Sequence, residues 1–122
     1  LATLASMTAS ARLTLWGPVV LWAGVIFALS SIPSLSSGLG AWDEVLRSFA
    51  HAAEFAVLGA LLSRATQMPW AALALGSLYA VTDEVHQAFV SGRHGSPLDW
   101  LVDTAGVVAG VLLYSRWAAS RP

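Results

Sequence analysis

The chain has 122 residues and a net charge of −1; 57% of its residues are hydrophobic and only 11% are charged. With a mean hydropathy of +0.68, it carries too little charge for a water-soluble domain of this size and matches the membrane class. All six basic residues are arginines and they form no run, so nothing favours a nucleic-acid partner. Cysteine is absent, which excludes disulfides and thiolate metal sites and leaves His and carboxylates to hold any metal.

Residues 1–12 are small and unpatterned, expected as a poorly ordered tail, and the first residue is not Met, as in a processed, trimmed or tagged start. An uncharged span from about 13 to 31 is long enough to cross a bilayer core of about 30 Å, with Pro18 expected in its first turns, where its missing N–H is tolerated. A signal-peptide reading of this span uses Arg12 as the charged region. It suffers from an apolar stretch too long for a signal and would discard one helix.

A Ser-, Gly- and Pro-rich linker follows, and Asp43 opens the next helix as N-cap or first-turn acid. This second helix is expected over about 42–64, with Arg47, His51, Glu54 and Leu58 on one stripe. A short connection ending at Pro69 implies an antiparallel third helix, about 70–89, whose outgoing end is polar on one side through Tyr79, Asp83, Glu84, His86 and Gln87. Ser96 as N-cap and Pro97 in the first turn start a fourth helix over about 97–117, on which Asp99, Asp103, Gly106 and Gly110 share a face. The spacing of Gly106 and Gly110 lets a neighbouring helix backbone come close. The expected fold is an all-α integral membrane four-helix bundle, a single domain over 13–117 with a short tail at 118–122.

Four spans return both termini to one side, which carries Arg12, Arg64, Arg116 and Arg121 against Arg47 and Arg93 opposite. The positive-inside rule then puts the termini in the cytoplasm. All seven acids and all three histidines fall towards the other, outward end. Ionisable groups in hydrocarbon cost at least ~2.5–3.5 kcal/mol, so they mark candidate sites.

Here the candidate catalytic groups are His51, Glu54, Asp83, Glu84 and His86, as a proton-transfer pair or, for His51, Glu54 and His86, a zinc-like ligand set. The bland reading of His51 and Glu54 is an interhelical hydrogen bond. Candidate binding groups are Gln87, Arg93, Ser96, Asp99 and Asp103. Arg93 and Ser96 beside a helix N-terminus suit an anion, and pairing of Arg93 with Asp83 or Asp99 is the equal alternative. Whether a metal or other cofactor belongs here is left open. There is no Ser-His-Asp spacing, Gly-rich phosphate loop or zincin motif.

Taken in order, Ser30-Ser31-Ile32-Pro33, the run from His51 and Glu54 to Gly59, Asp83-Glu84-Val85-His86-Gln87-Ala88-Phe89, and Arg93-x-x-Ser96-x-x-Asp99 through Asp103 to Gly106 resemble the VanZ-like family of small bacterial membrane proteins. Members often carry Asn at the position of Asp103 and Lys at that of Arg47. The resemblance implies a multi-pass protein of the bacterial cytoplasmic membrane linked to glycopeptide resistance. Two functions stay open: an envelope factor or enzyme acting on a lipid-linked precursor or anionic lipid, and a non-catalytic subunit of a larger membrane complex.

Overall fold

A computed structural model of the chain describes residues 7–32, 40–90 and 95–121. These form four α-helices, α1 (Ala9–Ser30), α2 (Ala41–Thr66), α3 (Pro69–Gln87) and α4 (Pro97–Ala119), and among the described residues there is no strand.

Cross-contacts give the directions of the helices. Trp22 donates its indole N–H to the Glu54 carbonyl at 2.8 Å, and Arg64 donates to the Thr14 carbonyl at 3.0 Å, so α1 and α2 are antiparallel. Gln87 meets His51, and Trp100 donates to the Ser77 carbonyl, so α3 runs against both α2 and α4. The chain therefore goes up, down, up and down. One end gathers Ser30, His51, Gln87 and Asp99; the other gathers Thr14, Arg64, Gln67 and Tyr114.

Local chemistry explains the helix ends. Thr8 caps α1 by accepting from the Ala11 N–H, which starts that helix at Ala9, earlier than its apolar run suggests. Pro18 consequently lies inside the helix, where it cannot donate to Thr14. The Arg64 guanidinium supplies that carbonyl with a donor instead, so the proline is matched by a contact from α2. Gly40, at φ 65°, stands at the N-cap of α2, and Asp43 is a first-turn acid and not the cap. Gln67 adopts a left-handed φ of 55° and closes α2, and Pro69 begins α3. Ser96 caps α4 by accepting from the Asp99 N–H at 3.0 Å, with Pro97 following.

α2 and α4 form the most extensive contact. Glycine makes it close: a Cβ on Gly106 would run into the Ala52 carbonyl, one on Gly110 into the Ala56 carbonyl, and one on Gly59 into the Val107 carbonyl. Beside this seam Phe55, Leu58, Val107 and Val111 are buried, with Ala72 and Ala80 of α3. The exterior is apolar instead: Leu13, Val20, Leu21, Phe49 and Leu113 are all at least 65% exposed. That pattern suits lipid as the surrounding solvent. By length and composition α1, α2 and α4 are long and apolar enough to cross a membrane. α3 falls outside that set, because its outgoing turns carry Asp83, Glu84 and His86, yet it reaches between the same two ends of the bundle.

Candidate functional site

The polar residues of α3 sort by angle. Taking Asp83 as zero and about 100° per residue, Gln87 lies at about +40°, Glu84 at about +100° and His86 at about −60°. Three neighbours claim these three directions.

Asp83 and Gln87 turn towards α2. Asp83 is 4% exposed; one of its oxygens accepts from Ser30 Oγ at 2.5 Å and the other from Gln87 Nε2 at 2.8 Å. The same Gln87 nitrogen lies 3.2 Å from His51 Nε2. The opposite ring nitrogen, His51 Nδ1, is 3.5 Å from Asp103 Oδ1 and 3.9 Å from Asp83 Oδ2. One imidazole thus sits between carboxylates of two other helices. Asp103 is 1% exposed, and neither of its carboxylate oxygens has a hydrogen-bond donor.

Glu84 turns towards α4. Its Oε2 accepts from the Ser96 N–H at 3.2 Å, while its buried Oε1 has no donor. Gly95 allows this approach, since a Cβ there would strike the Glu84 carbonyl. Glu84, His51, Gln87, Asp99 and Asp103 line a cavity of about 10 Å³ together with Arg47, which pairs with Glu44 at 2.6 Å.

His86 turns the other way, towards α1. Its ring stacks on Phe27 with centroids 4.2 Å apart, and its Nε2 is 3.3 Å from Ser31 Oγ. His51, Glu54 and His86 are accordingly not the group that comes together. The donor atoms within 4.8 Å of one another belong to His51, Asp83 and Asp103. Glu54, one turn along α2 from His51, uses its backbone carbonyl to receive Trp22. Tyr79 donates to the Ala23 carbonyl at 2.5 Å and serves packing. Arg93 lies outside the described residues, as does His94.

Helix α1 contributes more than its sequence announces. Ser30 holds Asp83, while Ser31 and Phe27 hold His86. In the sequence these residues show as a pair of serines at the end of an apolar span, within the short Ser30-Ser31-Ile32-Pro33 run that resembles the family. That placement also fits a simple helix end, so only the neighbour's identity reveals the role.

Chemically, the assembly offers a buried imidazole whose two nitrogens face different partners, with unsatisfied carboxylate oxygens alongside. It is suited to holding and moving a proton, or to binding a cation. Each orphaned acceptor costs of the order of 1–3 kcal/mol, so the arrangement is poor as packing glue.

Comparison with known proteins finds no individually curated protein and no solved structure that matches. One family does match, VanZ/LLP1, over residues 5–118. That range contains α1, α2, α3, all but the last residue of α4 and every residue of the polar cluster, and the chain belongs to the VanZ/LLP1 family.

Proposed function

We propose that this chain is a cell-envelope protein of the bacterial cytoplasmic membrane whose polar end faces outward and acts on the head group of a lipid-linked or otherwise amphiphilic substrate. The observation that carries the reading is the buried cluster of His51, Asp83 and Asp103, built from three helices with acceptors left unpaired. A protein gains nothing in stability from such groups, and they are retained where they work.

The surroundings favour an amphiphile. A cavity of about 10 Å³ takes one water-sized particle and no head group. Two open apolar grooves flank it: one of about 310 Å³ beside Val85, Pro97 and Trp100, sharing Glu84 with the cavity, and one of about 380 Å³ beside Val45 and Phe49, sharing Ser48 and Val102. A substrate tail would lie along a groove and its head at the rim near Glu84, Ser48 and Asp99. The cluster of His51, Asp83 and Asp103 would supply the charged and proton-handling groups behind that rim. Arg93 and Ser96, ahead of α4, would hold an anionic head group.

The arginine distribution supports outward orientation, four on the side of the termini against two opposite. A topology reporter fused after Pro122 should read cytoplasmic and one inserted at Gly38 external. The reverse pattern would move the cluster to the cytoplasm and remove the envelope reading.

The functional test uses the glycopeptide link of the family. Wild-type protein produced in a bacterial host should raise tolerance to teicoplanin. His51→Gln and Asp83→Asn, present in the membrane at equal amounts, should abolish the effect. Variants that retain full tolerance would show that the cluster does no chemistry.

A further inference from the structure

Among the described residues, Asp103 is a buried acid with neither side-chain oxygen hydrogen-bonded. It is buried at the start of the seam between α2 and α4, with 1% of its side chain exposed and two acceptor oxygens that find no donor among the described residues. One of them, Oδ1, faces a place where other ligand atoms converge. His51 Nδ1, 12% of whose side chain is exposed, is 3.5 Å from one of these oxygens and 3.9 Å from Asp83 Oδ2, and it also lacks a hydrogen-bond partner. The three donor atoms fall within 4.8 Å of one another.

Those separations are the ones a small cation requires. With metal–nitrogen and metal–oxygen bonds of about 2.0–2.2 Å, ligands at a tetrahedral angle lie about 3.4 Å apart, and ligands on opposite sides of the ion about 4.2 Å apart. Two of the observed distances lie inside that window, and the widest permitted separation closes with a small side-chain rotation. The neighbouring cavity of about 10 Å³, lined by His51, Asp103 and Glu84, opens the position to one water-sized particle.

We infer that His51, Asp83 and Asp103 form a binding site for one divalent transition-metal ion, with Glu84 beside it and room for a metal-bound water. One imidazole with two carboxylates suits Mn²⁺ or Zn²⁺, which accept mixed nitrogen and oxygen donors, better than Mg²⁺ or Ca²⁺, which favour oxygen alone. Coordination through Nδ1 requires that nitrogen to be free of its proton and puts the remaining one on Nε2. Gln87 then has a defined task. A turn about its last side-chain torsion would put its carbonyl oxygen on the Nε2–H in place of the amide nitrogen, now 3.2 Å away; because that nitrogen is also 2.8 Å from Asp83 Oδ2, the turn requires this carboxylate oxygen to swing away from Gln87 towards the ion. Ser30 keeps the other Asp83 oxygen throughout. The inference is independent of which substrate the protein handles.

The test is Mn²⁺ binding to the purified full chain in mild detergent, after chelator treatment and desalting, followed by electron spin-echo spectroscopy of the bound ion. The expected result is one Mn²⁺ per chain carrying the nitrogen coupling of a single imidazole, displaced by Zn²⁺. His51→Gln should lose the coupling, and Asp103→Asn should weaken binding at least tenfold; helicity and elution volume check that both stay folded. The wild-type coupling needs no variant, so the test survives if either fails to fold. Substoichiometric Mn²⁺ and Zn²⁺ on the wild type, stoichiometric Mn²⁺ without nitrogen coupling, or a coupling that persists in folded His51→Gln would each overturn the site.

Discussion

The contact between α2 and α4 has two halves built on opposite terms. From Ala52 to Gly59 it is a seam of backbone on backbone, in which Gly106 and Gly110 offer no side chain and Phe55, Leu58 and Val107 fill the flanks. One turn towards the polar end, His51 and Asp103 face each other at 3.5 Å, and polar atoms are buried without partners. In lipid, apolar side chains supply little drive for helix association, so close packing of the first kind holds the bundle together. The second kind adds cost. The two are connected, because the approach of Gly106 to Ala52 holds the helices near enough for the neighbouring His51 and Asp103 to meet.

The largest expected effect therefore belongs to the seam. Gly110→Leu forces a branched side chain against the Ala56 carbonyl, and overpacking of this severity should cost about 3 kcal/mol or more, enough to lose the folded bundle in detergent. A variant that melts like wild type would show that these helices do not meet at Gly110.

Away from both halves, Arg64→Leu removes the donor to the Thr14 carbonyl that Pro18 leaves open. The cost should be about 1–3 kcal/mol, at the lower end because water reaches this end of the bundle. Adding Pro18→Ala restores the helical N–H and should recover much of the loss in a thermal melt. Absence of recovery would mean that Arg64 acts elsewhere.

A smaller loss, about 1 kcal/mol, is expected for Ser30→Ala, which takes one of two donors from buried Asp83. The melt then reads whether the satisfied part of the polar end contributes to stability at all. No change in the melt would say that Asp83 is indifferent to Ser30.

The seam was legible in the sequence, since Gly106 and Gly110 lie one turn apart on an apolar helix and need no partner's identity to be read. So was the existence of four helices, through apolar runs interrupted by Pro69, Pro97 and polar turns. The start of α1 was not, because Thr8 as a cap leaves no trace in apolar periodicity, and the interior location of Pro18 followed from it. The polar end was readable as a group and not as a geometry. His51, Asp83, Gln87 and Asp103 stood out as ionisable or amide residues in a greasy chain. His86 stood out equally, yet it belongs with Phe27 and Ser31, because about 60° around α3 separates the side facing α2 from the side facing α1. Which neighbour occupies which side is a property of the packed bundle. Ser30 was hidden for the same reason.

If the polar end works and does not hold the bundle together, removing its least-supported group should leave the fold intact. Asp103→Asn keeps the shape of the side chain and replaces one of its two unpaired acceptor oxygens with an amide donor, close to His51 Nδ1. Thermal unfolding of this variant in detergent, measured against wild type without added metal, should give a midpoint equal to wild type or higher. A midpoint lower by several degrees would show that the Asp103 carboxylate stabilises the fold through His51, and the cluster would then be a structural tie between helices.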